Sequence, residues 1–263
     1  MVKRALIIIC FVLLSVTAKG KVIAGEENKV LKVYYFHRPP YYVRLDDGKA
    51  TGFLVEITKM ILDTAGISHV FVETPPKRIL KFIEHAEYSC SVGWFKTRER
   101  ESVALFSDPI YQDMPAEIVS RRSSSLFTEK PTLNQVLESP LTLGVVKGFS
   151  YGSDVDDAIL RLNPSIFSIS GEAESLLKMI QYKRIDYAFM APEESNYILQ
   201  QNPLMRSELQ LIKIADVTQG NFRYLMFSKG VGSAVVERVN ESIRKVKNTE
   251  KYRDLISVAK QEH

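Results

Sequence analysis

The sequence predicts an α/β protein built as two lobes. From residue 30 onward, apolar β-type runs alternate with segments whose apolar residues recur at helical spacing. The alternation stops at the polar stretch Arg121-Arg122-Ser123-Ser124-Ser125, read here as a domain boundary, and then begins again. Strands alternating with helices imply mainly parallel sheets, with ligands outside the carboxyl ends of the strands or between lobes.

Residues 30–36 read as a buried strand. Residues 53–65 carry Phe53, Ile57, Met60 and Ile61 on one helical face and stop at Gly66. Residues 68–73 form the next strand, Pro75-Pro76 open a helix with Ile79, Leu80 and Ile83 at helical spacing, and residues 89–93 make a third strand. Residues 117–120 continue as strand. The restarted pattern gives a helix at 132–137, a strand at 141–146, a helix at 153–162, a strand at 166–170, a helix at 171–182, a strand at 185–190 and a helix from Pro192. A third block, strand 222–227 and helix 233–246, closes the chain with a short helix from Thr249. Composition leaves open which lobe receives that block.

At 263 residues, 45% hydrophobic and 25% charged, the chain is of ordinary globular composition, which excludes collagenous and disordered classes. A formal charge of +4, spread over the whole length, provides no basic stripe for nucleic acid. Residues 1–18 resemble a secretory signal peptide: Lys3 and Arg4 precede an apolar run through Leu14, and Val16-Thr17-Ala18 suits cleavage after Ala18. An uncleaved anchor is the alternative. Cleavage removes Cys10 and leaves Cys90 as the one thiol, so no internal disulfide is expected in the periplasm.

Gly148-Phe149-Ser150-Tyr151-Gly152 matches G-x-S-x-G between an expected strand and helix. A serine hydrolase of that kind needs a histidine after the serine, and only the terminal His263 follows. The turn suits an anion at a helix N-terminus, with Ser150 adding a donor, or a simple helix cap. The four histidines are scattered with no metal-ligand spacing, and neither a metal nor a cofactor is expected. The tyrosines at 34–35 and 41–42 are core residues or walls of a cleft.

Gly93-Trp94-Phe95-Lys96-Thr97-Arg98-Glu99-Arg100, continuing to Phe106-Ser107-Asp108-Pro109-Ile110-Tyr111, resembles the T-x-E-R…F-S-x-P-Y signature of bacterial extracellular solute-binding proteins of family 3. Pro39-Pro40-Tyr41 with Asp47-Gly48 and Gly52-Phe53, Gly144-Val145-Val146-Lys147-Gly148, and Arg184-Ile185-Asp186 are similar to further family segments in order and spacing. The resemblance implies a two-lobed type 2 periplasmic binding protein fold, with a ligand cleft between lobes joined by two hinge strands. Residues 28–115 and 221–263 would form lobe 1 and residues 116–220 lobe 2. It implies a monomer that binds a small carboxylate ligand and delivers it to a membrane permease of the ABC type, without catalysis.

By the same resemblance Arg100 grips the ligand carboxylate, Ser150 and its neighbour Phe149 close over it from the second lobe, and Gly93, Trp94 and Phe95 line the pocket. Two departures bear on the ligand. Ala191 stands where amino-acid binders carry the aspartate that pairs with the ligand ammonium, and Tyr35 where an aspartate often lies in the first lobe. Arg38 and Arg78 fall near the cleft or face solvent. The expected pocket is therefore short of acids and rich in bases, which favours an organic acid or modified amino acid unless Glu193 or Glu194 receives the ammonium. A ligand-sensing module for a receptor, or a dehydratase-like enzyme using Glu193 as acid or base, are the other uses of such a fold.

Overall fold

The computed structural model describes residues 29–85, 87–124 and 130–260; the expected signal segment, Cys10, Ser125 and His263 lie outside them. The chain begins with β1 (Leu31–Tyr35), a two-stranded hairpin of β2 (Val43–Arg44) and β3 (Ala50–Thr51), α1 (Phe53–Thr64), β4 (His69–Glu73) and α2 (Pro76–Glu84). It continues through β5 (Ser89–Trp94), α3 (Arg98–Val103), β6 (Ala104–Phe106) and β7 (Tyr111–Gln112). Next come β8 (Glu117–Arg121), α4 (Leu133–Leu137), β9 (Leu143–Val146), α5 (Ser153–Leu162), β10 (Ile166–Ile169), α6 (Ala173–Gln181), β11 (Tyr187–Met190), α7 (Pro192–Gln201), α8 (Pro203–Glu208) and β12 (Leu209–Lys213). The last elements are β13 (Phe222–Ser228), α9 (Ser233–Lys247) and α10 (Glu250–Ala259).

Two sheets organise these elements into the expected two lobes. The first runs β4-β1-β5-β13-β6, with β7 paired to β13, and the second runs β10-β9-β11-β8-β12. β13 therefore joins the sheet of the first block. Each sheet is parallel only in part, because β13 runs antiparallel to β5 and β6, and β8 antiparallel to β11 and β12. These reversals replace the mainly parallel sheets expected from the alternation. They arise where the chain enters each lobe from the other, so that β8 and β13 run counter to the βαβ units already there.

Burial explains the local choices. All six residues of β5 are buried because the strand is central and covered on both faces. α1 buries Leu54, Ile57, Ile61 and Leu62 in the same cluster as Val235, Val239 and Ile243 of α9. The polar stretch at 121 packs where a linker was expected. Arg121 pairs with Leu209 in the sheet, donates to the Ile180 and Ile185 carbonyls at 2.9 Å and meets Asp186 at 3.0 Å.

The chain crosses between lobes on two adjacent segments. The Asp113 amide donates to the Asn221 carbonyl at 3.0 Å and the Gln112 side chain to the Gly220 carbonyl at 3.1 Å. Any side chain at Gly220 would collide with the Asp113 carbonyl, 1.7 Å from where its Cβ would sit. Glycine is what lets the two crossings run this close.

Candidate functional site

The loops after β1 and β5 face the loop between β9 and α5 across the cleft, around Phe36, Arg38, Trp94, Phe95, Arg100, Phe149 and Ser150. The free space there is narrow, about 30 Å³. A second compartment of about 590 Å³ shares Phe36, Arg38 and Phe149 with it and opens toward Glu194, Tyr197 and the start of α6.

Arg100 sits on α3, a helix with no buried residue, held by its Thr97 cap. Its guanidinium lies 4.8 Å from the Trp94 ring and donates to the Phe95 carbonyl at 2.9 Å. Burial lowers its pKa, with Asp156 and Glu99 opposing, and among the described residues no carboxylate pairs with it. Gly93 has φ +80°, and a Cβ there would stand 2.7 Å from the Tyr42 hydroxyl. Its carbonyl accepts from Arg223 at 3.0 Å.

The cleft is not short of acids. Arg38 reaches across the lobes to Glu194 in a two-pronged pair, Nε to Oε1 and Nη2 to Oε2 both at 2.8 Å, while lying 4.5 Å from the Phe149 ring. Burial opposes its charge but Glu194 outweighs burial and raises its pKa. Arg223 on β13 is almost completely buried, donates to Asp113 at 2.6 Å and lies 4.0 Å from the Tyr41 ring. Glu194 thus pairs with Arg38, a base that sequence counting left unpaired, and Asp113 pairs with Arg223.

Ser150 does not present a free hydroxyl to the cleft. It donates in a short bond to Asp156, which also accepts from the Tyr151 amide at 2.9 Å. Burial raises the Asp156 pKa against these bonds. Tyr35 is buried in the first-lobe core against Phe71, away from the cleft, because its side of β1 faces the helices. Arg78 is exposed on α2 and lines neither compartment, since only the Ile79 and Ile83 side of that helix turns inward. Glu193 is buried too, but not beside Arg100: its Oε1 accepts a short bond from the Tyr111 hydroxyl and a 2.8 Å bond from the Met114 amide, and its Oε2 has no partner. A dehydratase-like acid or base at Glu193 therefore lacks contact with that compartment.

Tyr42, named as core or cleft wall, does line the cleft, whereas the residues that sequence reasoning missed are Arg223 and Asp113. A lone arginine inside the apolar run of β13 is the one signal that marked either of them. Among the described residues, no group of histidine, cysteine and acids is placed to hold a metal, and no helix is long and apolar enough to cross a membrane.

Solved structures share the fold. An ancestral arginine-binding protein bound to arginine is 18% identical with a TM-score of 0.73, over 88% of this chain and 98% of that one. A substrate-binding protein of an amino acid ABC transporter from Streptococcus pneumoniae, bound to L-arginine, is 20% identical with a TM-score of 0.69, over 88% and 93%. A Salmonella typhimurium periplasmic binding protein with high arginine specificity is 15% identical with a TM-score of 0.68, over 87% and 97%. No curated protein sequence matches the chain. The sequence profile of bacterial extracellular solute-binding proteins, family 3, matches residues 32–257, and with that span inside it the chain belongs to this family.

Proposed function

We propose that the protein captures a small carboxylate-bearing ligand, an amino acid or related organic acid, by hinge closure between its lobes and hands it to an ABC-type permease. Lobe 1 comprises the described residues up to 115 and from 221, lobe 2 residues 116–220, and the hinge is the paired crossing at Asp113 and Asn221. The observation that carries this reading is Arg100, a desolvated guanidinium in the cleft wall with no carboxylate of its own. Relatives described as bound to arginine support an amino-acid type of ligand. The protein works in the periplasm as a monomer after cleavage behind Ala18, which the N-terminal mass of secreted protein tests.

The direct test is calorimetric titration against a panel of amino and organic acids. Arg100→Ala loses one charge-assisted pair, about 1.5–3 kcal/mol, so the ligand found should bind roughly 10- to 150-fold more weakly. Equal binding by wild type and Arg100→Ala refutes the assignment.

A further inference from the structure

Away from the Arg100 cleft, two helices turn one face each toward a common cavity. On α10, Lys251, Asp254, Leu255 and Val258 recur at helical spacing, and on α7 Glu193, Asn196, Tyr197 and Gln200 do the same. Both sets line a compartment of about 540 Å³, whose wall Phe53 and Glu56 of α1 help to complete. It shares no lining residue with the space around Arg100. α1 and α10 pack on the core of the first sheet and α7 on that of the second, so an occupant touches both lobes.

The size suits a small organic molecule, and the lining narrows its class. Phe53, Tyr197, Leu255 and Val258 make much of the wall apolar, and the charges on it are Glu56, Glu193 and Asp254 against Lys251. Glu56 already holds Lys59 at 2.8 Å. Glu193 is different: it is 3% exposed, its Oε1 takes the Tyr111 hydroxyl and the Met114 amide, and its Oε2 has no hydrogen-bond partner. A buried carboxylate oxygen without a donor is costly, and a cation set against it offsets that cost. We infer that this compartment is a second binding site, that it takes a small organic amine with an apolar or aromatic body, and that Glu193 receives the ammonium. The Phe53 and Tyr197 rings suit such a body, and the side-chain carbonyls of Asn196 and Gln200 suit its remaining N–H groups. A carboxylate on the same molecule would meet three acids, so the site selects against amino acids and organic acids alike. The inference is independent of the role given to Arg100.

The test is calorimetric titration with 2-phenylethylamine beside its uncharged counterpart 2-phenylethanol. Wild type should bind the amine at one site, tighter than the alcohol by about tenfold or more, as a charge-assisted bond to a buried carboxylate requires. Glu193→Gln keeps an acceptor for Tyr111 and Met114 and should reduce that preference below about threefold. Val258→Trp starts from a side chain 69% exposed, so it leaves the core intact while its ring takes up space in the compartment, and it should weaken the amine by about fivefold or more. That variant decides the matter if Glu193→Gln does not fold. Arg100→Ala should leave amine affinity within about twofold, because Arg100 does not line this compartment. No binding of the amine to wild type, equal binding of amine and alcohol, a preference that survives Glu193→Gln, or full amine affinity in Val258→Trp each overturns the inference. So does a loss of amine binding in Arg100→Ala, which would put the amine in the other cleft.

Discussion

Replacing Arg223 by Met tests how the buried charges hold the first lobe to the hinge. The guanidinium is 2% exposed, donates to Asp113 at 2.6 Å and to the Gly93 carbonyl at 3.0 Å, and lies on the Tyr41 and Phe95 rings at 4.0 and 4.8 Å. Methionine fills much of the same volume but leaves Asp113, itself buried, as an uncompensated charge. Breaking one side of a buried pair costs about 3–5 kcal/mol. For a chain of this size that is a fall in melting temperature of roughly 6–20 °C. Thermal melting by circular dichroism at neutral pH measures it. The double variant Arg223→Met with Asp113→Asn removes the stranded charge and should recover more than half of the loss. A single variant that melts within 2 °C of wild type, or a double variant no more stable than the single one, refutes the reasoning.

Asp113 also sets a pH dependence, because burial, reinforced by Glu193 and opposed by Arg223, pushes its pKa up to about 6. The folded chain then holds a proton that the unfolded chain has released, so this group's contribution is greatest below about pH 4 and falls as pH rises to about 6. Asp113→Asn should reduce the stability lost between about pH 4 and pH 6 by up to roughly 3 kcal/mol, and an unchanged loss in denaturant titrations at those two pH values contradicts it. Gly93→Ala should cost about 1–3 kcal/mol, since φ is +80° and the added Cβ meets Tyr42 at 2.7 Å. Gly48→Ala, with the same φ of +80° and nothing within 4 Å, should cost less, and equal losses in melting temperature argue against the Tyr42 contact. Cys90 is fully buried and burial raises its pKa, so a thiol reagent should modify it only in denaturant; rapid labelling of native protein counts against that burial.

Helices with an apolar stripe were legible in the sequence, as α1, α5 and α9 were, because their buried residues repeat at helical spacing. α3 was not, since Arg98–Val103 buries nothing and only the Thr97 cap marks its start. β2 and β3 are two residues each and carry no periodicity. In the site, Arg100 and the Gly148–Gly152 turn were legible as local motifs. The Arg38–Glu194 and Arg223–Asp113 pairs were not, because their partners stand 156 and 110 positions apart and only the folded sheets bring them together. Counting charges along the chain therefore returned a basic pocket where the folded cleft is nearly balanced.

That balance extends to the turn expected to bind the ligand's anion. Asp156, on the first turn of α5, already takes the Ser150 hydroxyl and the Tyr151 amide, and its charge acts on Arg100. An internal acid occupies the anion turn much as an internal base occupies Glu194. A ligand carboxylate arriving at Arg100 therefore comes into the field of Asp156, and the repulsion between the two carboxylates offsets part of what Arg100 supplies. Asp156→Asn keeps the shape and the accepted amide bond while removing the charge. Carboxylate affinity should then rise by on the order of 1 kcal/mol, or several-fold, in the same calorimetric titrations. Were Asp156 instead a positioning residue that fixes Ser150 for the ligand, the variant would bind more weakly, and that outcome would sink the argument.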